Sequence, residues 1–285
     1  MKGFKSKRII LPIILIAVFV LVVRKCSFHS LPKERLHAIQ LDIEESYHDQ
    51  TYQLTITNPV DCPNRFFLSC ADEGANEVLK DFSPLLLEAK ADTTLSMTGR
   101  GDLKGKVKIH LKWGDPNLPI QAATISQLPY PTHRRYQLLQ GNNSNPTHNY
   151  GLSRYAFDFT MEIGDTVTST QNGYVVAVID GYTGWGSGDK WKSYVNQIMI
   201  YDTTSHLFTM YGHLKQDGSL VEVGQYVTLG QPIGISGKTG QTTEEHLHFN
   251  VLRADKGKRG LQSYPLDSIG NYKVKTLERY QWMEN

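Results

Sequence analysis

Short stretches in which apolar and polar residues alternate recur along the chain from about residue 41 onward. Residues 51–57, Thr-Tyr-Gln-Leu-Thr-Ile-Thr, alternate strictly and are ended by Asn58-Pro59. Residues 65–70 and 106–113 repeat the theme. A period of two is that of a half-buried strand, with successive side chains on opposite faces. After Leu128-Pro129-Tyr130-Pro131 the pattern becomes a series of glycine-punctuated strands with little helical periodicity. Residues 173–179 read as a buried strand, and 196–201 and 206–211 flank Asp202-Thr203-Thr204-Ser205 as a hairpin. Residues 221–227 and 231–235 read as further short strands. In 155–159, Phe157 and Phe159 face a core, and Asp158 shares the other face with Ala156 and Thr160. In 245–251, Leu247, Phe249 and Val251 point one way while His246, His248 and Asn250 point the other. The expectation is a mainly β protein. A linker covers 26–40, a small β-sandwich-like module 41–128, and an antiparallel β-sheet domain 129–285.

The N-terminus departs from this pattern. Lys2, Lys5, Lys7 and Arg8 precede an unbroken apolar run over 9–23, followed by Arg24 and Lys25. Fifteen residues are short for a ~30 Å hydrocarbon core, but flanking basic side chains can snorkel and extend the span. With no small-residue cleavage site after the run, residues 1–25 read as an uncleaved signal-anchor, a transmembrane helix with its N-terminus in the cytoplasm. A cleaved signal with an unusual site is the alternative. The rest of the chain is then expected on the extracytoplasmic, periplasmic side of the cytoplasmic (inner) membrane. The 285 residues carry a net charge of +2, with 40% hydrophobic and 20% charged positions, which gives no pull toward nucleic acid. An exported chain permits disulfides, so Cys62 and Cys70 read either as a bridged pair or as two buried thiols. Cys26 lacks the small residues that precede a lipidated cysteine.

Two imidazoles on one strand face can reach one reaction centre, and zinc with a bound water is the commonest centre of that kind. The plain alternative is an exposed histidine pair with no metal. His148 lies ten residues before Asp158 in a stretch of loop composition, and His213 ends the segment Met210-Tyr211-Gly212-His213-Leu214. Gly237-Lys238-Thr239-Gly240-Gln241 is a glycine-pinned turn leading toward His246. Residues 181–192, with Gly184, Gly186 and Gly188, read as a mobile loop. No helix follows it, so it is a poor phosphate site. Its Trp185 and Trp191 either line a groove or pack in the core or on the surface. His110 and His206 read as ordinary strand and hairpin residues.

Taken in order, these segments resemble the lysostaphin-type zinc endopeptidases that act on bacterial peptidoglycan. The resemblance covers roughly 129–270. It consists of H-x(9)-D from His148 to Asp158, then Y-G-H-L, then V-x-V-G-Q-x-V-x-x-G-Q-P-I-G-x-S-G-x-T-G, then H-L-H-F. It implies that His148, Asp158 and His248 are zinc ligands and that His246 and His213 are the two catalytic histidines outside the ligand set. His246 is then the general base toward water, and hydrogen-bonding the oxyanion and protonating the leaving amine fall to His213 or are divided between the two rings. The implied substrate is a peptide stem or cross-link of peptidoglycan. A non-catalytic wall-binding or hydrolase-activating scaffold is the alternative, and a zinc peptidase acting on envelope proteins is a third reading. The module at 41–128 reads as a spacer, a lid or a docking surface for an envelope protein partner. Three departures stand out. Nine residues separate His148 from Asp158 where compact relatives have three, which makes His133 an alternative first ligand. Glu244-Glu245 stand where Gly-Pro often precedes H-L-H, and Asn250 stands where relatives often have Glu.

Overall fold

A computed structural model describes residues 30–121 and 125–285. The signal-anchor assigned to 1–25, together with Cys26 and His29, lies outside the described residues. Among the described residues no helix is long and apolar enough to cross a membrane.

The first module is built from two three-stranded antiparallel sheets. One joins Asp42–His48, Thr51–Thr57 and Asp92–Thr98, with Thr51–Thr57 in the middle. The other joins Leu85–Leu87, Asn64–Cys70 and Val107–Trp113, with Asn64–Cys70 in the middle. The alternation in 51–57 puts Tyr52, Leu54 and Ile56 into the shared core, against Phe66 and Leu68 of the second sheet. The core also holds one element that the alternation did not predict, an α-helix over Glu73–Asp81. Asp72 caps it, its carboxylate accepting from the Ala75 N–H at 2.7 Å, and Ala75 and Leu79 bury one face. Cys62 and Cys70 are both free thiols, Cys62 being fully buried.

The large sheet has nine strands. Eight run in the order Tyr226–Val227, Gly173–Ile179, Gln197–Tyr201, Leu207–Gly212, Leu247–Ala254, Phe157–Phe159, Arg135–Gln140, Trp282–Glu284, and Leu261–Ser263 pairs with the far end of Leu247–Ala254. All of these neighbours are antiparallel. One face is apolar: Phe157, Phe159, Leu247, Phe249, Val251, Tyr211 and Ile198 pack with Ile125, Leu128 and Met283. Each such side chain taken out of water contributes ~1.5–3 kcal/mol, so this face fixes the register. Of the strand expected over 221–227, two residues pair. Gly224 at φ +91° and the Gln225 N–H to Glu222 carbonyl bond make the rest a turn.

The two parts share a core. Val60 and Cys62 of the first module pack with Val176, Met199, Tyr201, Phe208 and Leu252 of the large sheet. Arg65 is buried at the junction and donates to four carbonyls: Gly114 (2.8 Å), Trp113 (3.1 Å), Asp255 (3.0 Å) and Gly260 (3.0 Å).

Candidate metal centre

The face of the large sheet opposite the core carries the candidate site residues. His248 is the register partner of Asp158 on one side and of Gly212 on the other. Alternation in two adjacent strands therefore brings the imidazole and the carboxylate together by construction. Asp158 is buried, not solvated as its strand alone would suggest, because Gln140 and His248 flank it in register and His148 lies against it. His148 arrives from the loop after Arg135–Gln140, which is folded back by the Ser144 N–H to His148 carbonyl bond at 3.1 Å.

His248 Nδ1 lies 2.9 Å from Asp158 Oδ1, and His148 Nε2 lies 3.2 Å from Asp158 Oδ2. One ligand atom from each of the three lies within 4.8 Å of the other two. Donors ~2.0–2.1 Å from a tetrahedral zinc stand about 3.3 Å apart, so both measured separations are near the required edge length. His148 Nδ1 sits 3.2 Å from the Gly141 carbonyl, which can only accept, so in the neutral ring Nδ1 carries the proton and Nε2 is bare. That buried Nε2 has no hydrogen-bond partner although Asp158 is beside it. An orphaned, inward-facing lone pair beside a carboxylate and a second imidazole fits a divalent metal such as zinc. The carbonyl behind His148 is the usual outer support of such a ligand. Burial alone would push the Asp158 carboxyl up. The facing imidazoles of His246 and His148, and the hydrogen bond from His248, outweigh it and hold the group well below the usual carboxylate range. Burial pushes His248 down, partly opposed by Asp158.

Two further imidazoles border this cluster. Strand Leu207–Gly212 ends just before His213, whose φ of +63° turns the chain and brings its ring 4.5 Å from that of His246 and 6.0 Å from that of His248. His213 Nδ1 lies 2.6 Å from the Thr239 carbonyl, and His246 Nδ1 lies 3.0 Å from the Glu244 carbonyl. Both rings therefore carry their proton on Nδ1 and keep Nε2 as an acceptor. His246 Nε2 is 3.8 Å from Asp158 Oδ1, near the centre but outside hydrogen-bond range. Burial, with the neighbouring charges of His246 and His248, pushes His213 down to about 3. The turn that supplies the Thr239 carbonyl needs its glycines. A Cβ on Gly237 would meet the Leu214–Lys215 backbone at 2.4–2.6 Å, and Gly240 has φ +79° with Val195 at 2.8 Å.

Residues 153–260 match the family model for peptidase family M23. The chain carries an M23 peptidase domain. Lysostaphin of Staphylococcus simulans is 36% identical over 102 residues, which are 36% of this chain and 18% of lysostaphin. The peptidoglycan DD-endopeptidase ShyB of Vibrio cholerae is 33% identical over 127 residues, 43% of this chain and 27% of that protein. The chain thus spans less than a third of the length of either relative. The crystallized catalytic domain of lysostaphin from Staphylococcus simulans aligns at 26% identity with a TM-score of 0.32, covering 46% of this chain and 87% of that one. The family match begins after His148, which the sheet topology nonetheless brings to the cluster.

Around the M23 centre the remaining candidates sort by burial. Loop 181–192 is tied to the site: Trp185–Gly186 pairs in parallel with Gly240–Gln241. Trp191 is buried beneath Gly186 and lines no groove, whereas Trp185 is half-buried with Lys238 Nζ 4.0 Å from its ring centroid. His133 is exposed, its N–H bonded to the Asn285 carbonyl, and takes no part in the cluster. His206 contacts the Pro119 carbonyl, and His37, His48 and His110 are exposed. Asn250 is fully buried; it accepts from the Ser263 hydroxyl at 2.9 Å and donates to the Leu152 carbonyl, pinning the chain just after the His148 loop. Sequence reasoning missed Thr239 and Asn196. The Thr239 hydroxyl accepts from the Asn196 N–H (3.1 Å) and donates to the Leu214 carbonyl (2.9 Å), locking the His213 turn. A threonine between two glycines was the available signal.

Proposed function

We propose that this protein is a zinc-dependent endopeptidase that hydrolyses peptide stems or cross-links of bacterial peptidoglycan in cell-wall remodelling. The observation that carries the reading is the convergence of His148 Nε2, Asp158 and His248 Nδ1, bordered by two imidazoles whose Nε2 atoms are free to accept. Zinc held by these three residues supplies Lewis-acid polarisation of a carbonyl and lowers the pKa of water toward ~7. His246, with Nδ1 fixed by Glu244, takes the proton of the attacking water at Nε2. His213 also starts as an acceptor at Nε2, so neither ring can donate there until a proton has been taken. The proton removed from water is therefore the one available to hydrogen-bond the oxyanion and then protonate the leaving amine.

In this proposal residues 1–25 anchor the chain in the cytoplasmic membrane and the M23 domain works on the extracytoplasmic side. Lys2, Lys5, Lys7 and Arg8 ahead of the apolar run support that orientation. Mass spectrometry of purified peptidoglycan incubated with the full-length protein, with and without chelator, tests the proposal. New amine and carboxyl termini in the stems, absent with chelator, are expected. Intact stems with zinc bound would sink the peptidoglycan-endopeptidase reading and favour the non-catalytic scaffold or a protein substrate.

A further inference from the structure

The register that assembles the centre also places a second feature on its face. Met283 and Tyr136 are partners and both enter the core, as do Leu138 and its partner Phe159. Alternation then puts Arg135, Gln137, Trp282 and Glu284 on the same face as Asp158 and His248. Trp282 pairs with Gln137 at the open edge of the sheet and is 54% exposed. The Arg135 guanidinium lies over its ring, 5.1 Å from the centroid. Next along this edge, Tyr280 is 51% exposed, with the Arg279 guanidinium 4.6 Å from its centroid. The edge strand with Trp282, and the turn before it with Tyr280, present exposed aromatics backed by arginines beside hydrogen-bond donors and the Glu284 carboxylate.

The distance to the centre follows from the topology. Asp158 pairs with Gln140, and Trp282 pairs with Gln137. The offset is two strand spacings of ~4.8 Å and about three residues at ~3.3 Å, or about 14 Å between Cα atoms. An extended peptide of about four residues covers that length. A peptidoglycan stem is a short peptide hanging from a sugar, so a stem bound in extended form at the metal would bring its sugar to this edge. A pyranose has a C–H face that packs on an indole, and hydroxyls that match the guanidinium, amide and carboxylate around Trp282.

We propose that Trp282, with Arg135 backing it and Tyr280 adjacent, is a saccharide platform that binds the glycan part of the substrate. The proposal rests on the peptidoglycan reading above, and its test separates the two. Retention of the full-length protein on immobilised, peptide-free glycan strands is measured with chelator present, so that no turnover is needed. Trp282→Ala is expected to weaken retention at least tenfold, while Trp282→Tyr keeps most of it. Both variants change a single surface position, and a circular-dichroism melt checks that Met283 still packs. In parallel, Trp282→Ala is expected to lower kcat/KM on sugar-bearing stems about tenfold more than on the same stems without sugar. Unchanged retention of the alanine variant, no retention of the wild type, or equal loss on both substrates overturns the platform. Glycan retention without cleavage of either substrate leaves the platform standing and removes the peptidoglycan-endopeptidase reading.

Discussion

Replacing Thr239 by valine isolates one hydroxyl beside the site at nearly constant volume. Thr239 is buried, and its hydroxyl accepts from the Asn196 N–H and donates to the Leu214 carbonyl. Valine removes both bonds. The Leu214 carbonyl still receives the Asn196 side-chain amide at 3.3 Å, so it keeps a partner. The Asn196 backbone N–H keeps none, and a buried orphan donor costs about 1–3 kcal/mol. Thr239→Ser is the control: it keeps the hydroxyl and removes one methyl, worth about 1 kcal/mol. Urea midpoints followed by intrinsic fluorescence in excess chelator should therefore fall further for valine than for serine. Activity should separate the variants more sharply. The Thr239 carbonyl fixes His213 at 2.6 Å, and a displacement of the order of 1 Å near the chemistry can cost ~100-fold. Valine should lower kcat by about ten- to a hundredfold with full zinc content, and serine should leave it near wild type. Serine as damaging as valine in kcat would show that packing, not the hydroxyl, holds the turn, and the argument would be wrong.

His246→Ala should keep zinc at one ion per chain by elemental analysis and lower kcat by about 10²–10⁴-fold, whereas His248→Ala should lose metal and activity together; zinc loss in the first would make His246 a ligand. Burial and the charge of Asp61 push the Cys62 thiol up, so iodoacetamide at pH 8 should label half-buried Cys70 and leave Cys62 untouched until urea is added, as read by peptide mapping. In the metal-free protein His213 is pushed from 6.5 to about 3, so between those pH values the unfolded chain binds its proton and the folded chain does not. Stability should therefore be complete above pH 6.5 and fall as the pH drops through that window. His213→Gln should flatten the fall, and an unchanged slope would count against the half-buried neutral ring.

The strands that were legible in the sequence are those whose partners on both sides reward strict alternation, such as Thr51–Thr57 and Leu247–Ala254. The helix over Glu73–Asp81 was not, because nine residues with Ala75 and Leu79 as its buried positions carry too short an apolar stripe, and its best local sign was the Asp72 cap. Strand order was not legible either. Nothing in Phe157-Asp158-Phe159 says that it lies between Leu247–Ala254 and Arg135–Gln140, and this placement is what buries Asp158. His148 depends on backbone events, the Ser144 bridge and the Gly141 carbonyl, that leave little trace in side-chain identity.

The same limit explains why four histidines of one type divide into different proposed roles. His246 and His248 share a strand face two residues apart, so periodicity treats them as equivalent. They differ in which nitrogen faces the centre. At His148, His213 and His246 a main-chain carbonyl takes Nδ1 and turns Nε2 inward, whereas His248 turns Nδ1 itself onto Asp158. The inward nitrogens of His148 and His248 stand 3.2 and 2.9 Å from the carboxylate, while that of His246 stands 3.8 Å away. Less than an ångström, set by where the Glu244 carbonyl lies, thus separates the proposed metal-ligand positions from the proposed general base. Moving that carbonyl should exchange or abolish the roles without changing a single histidine.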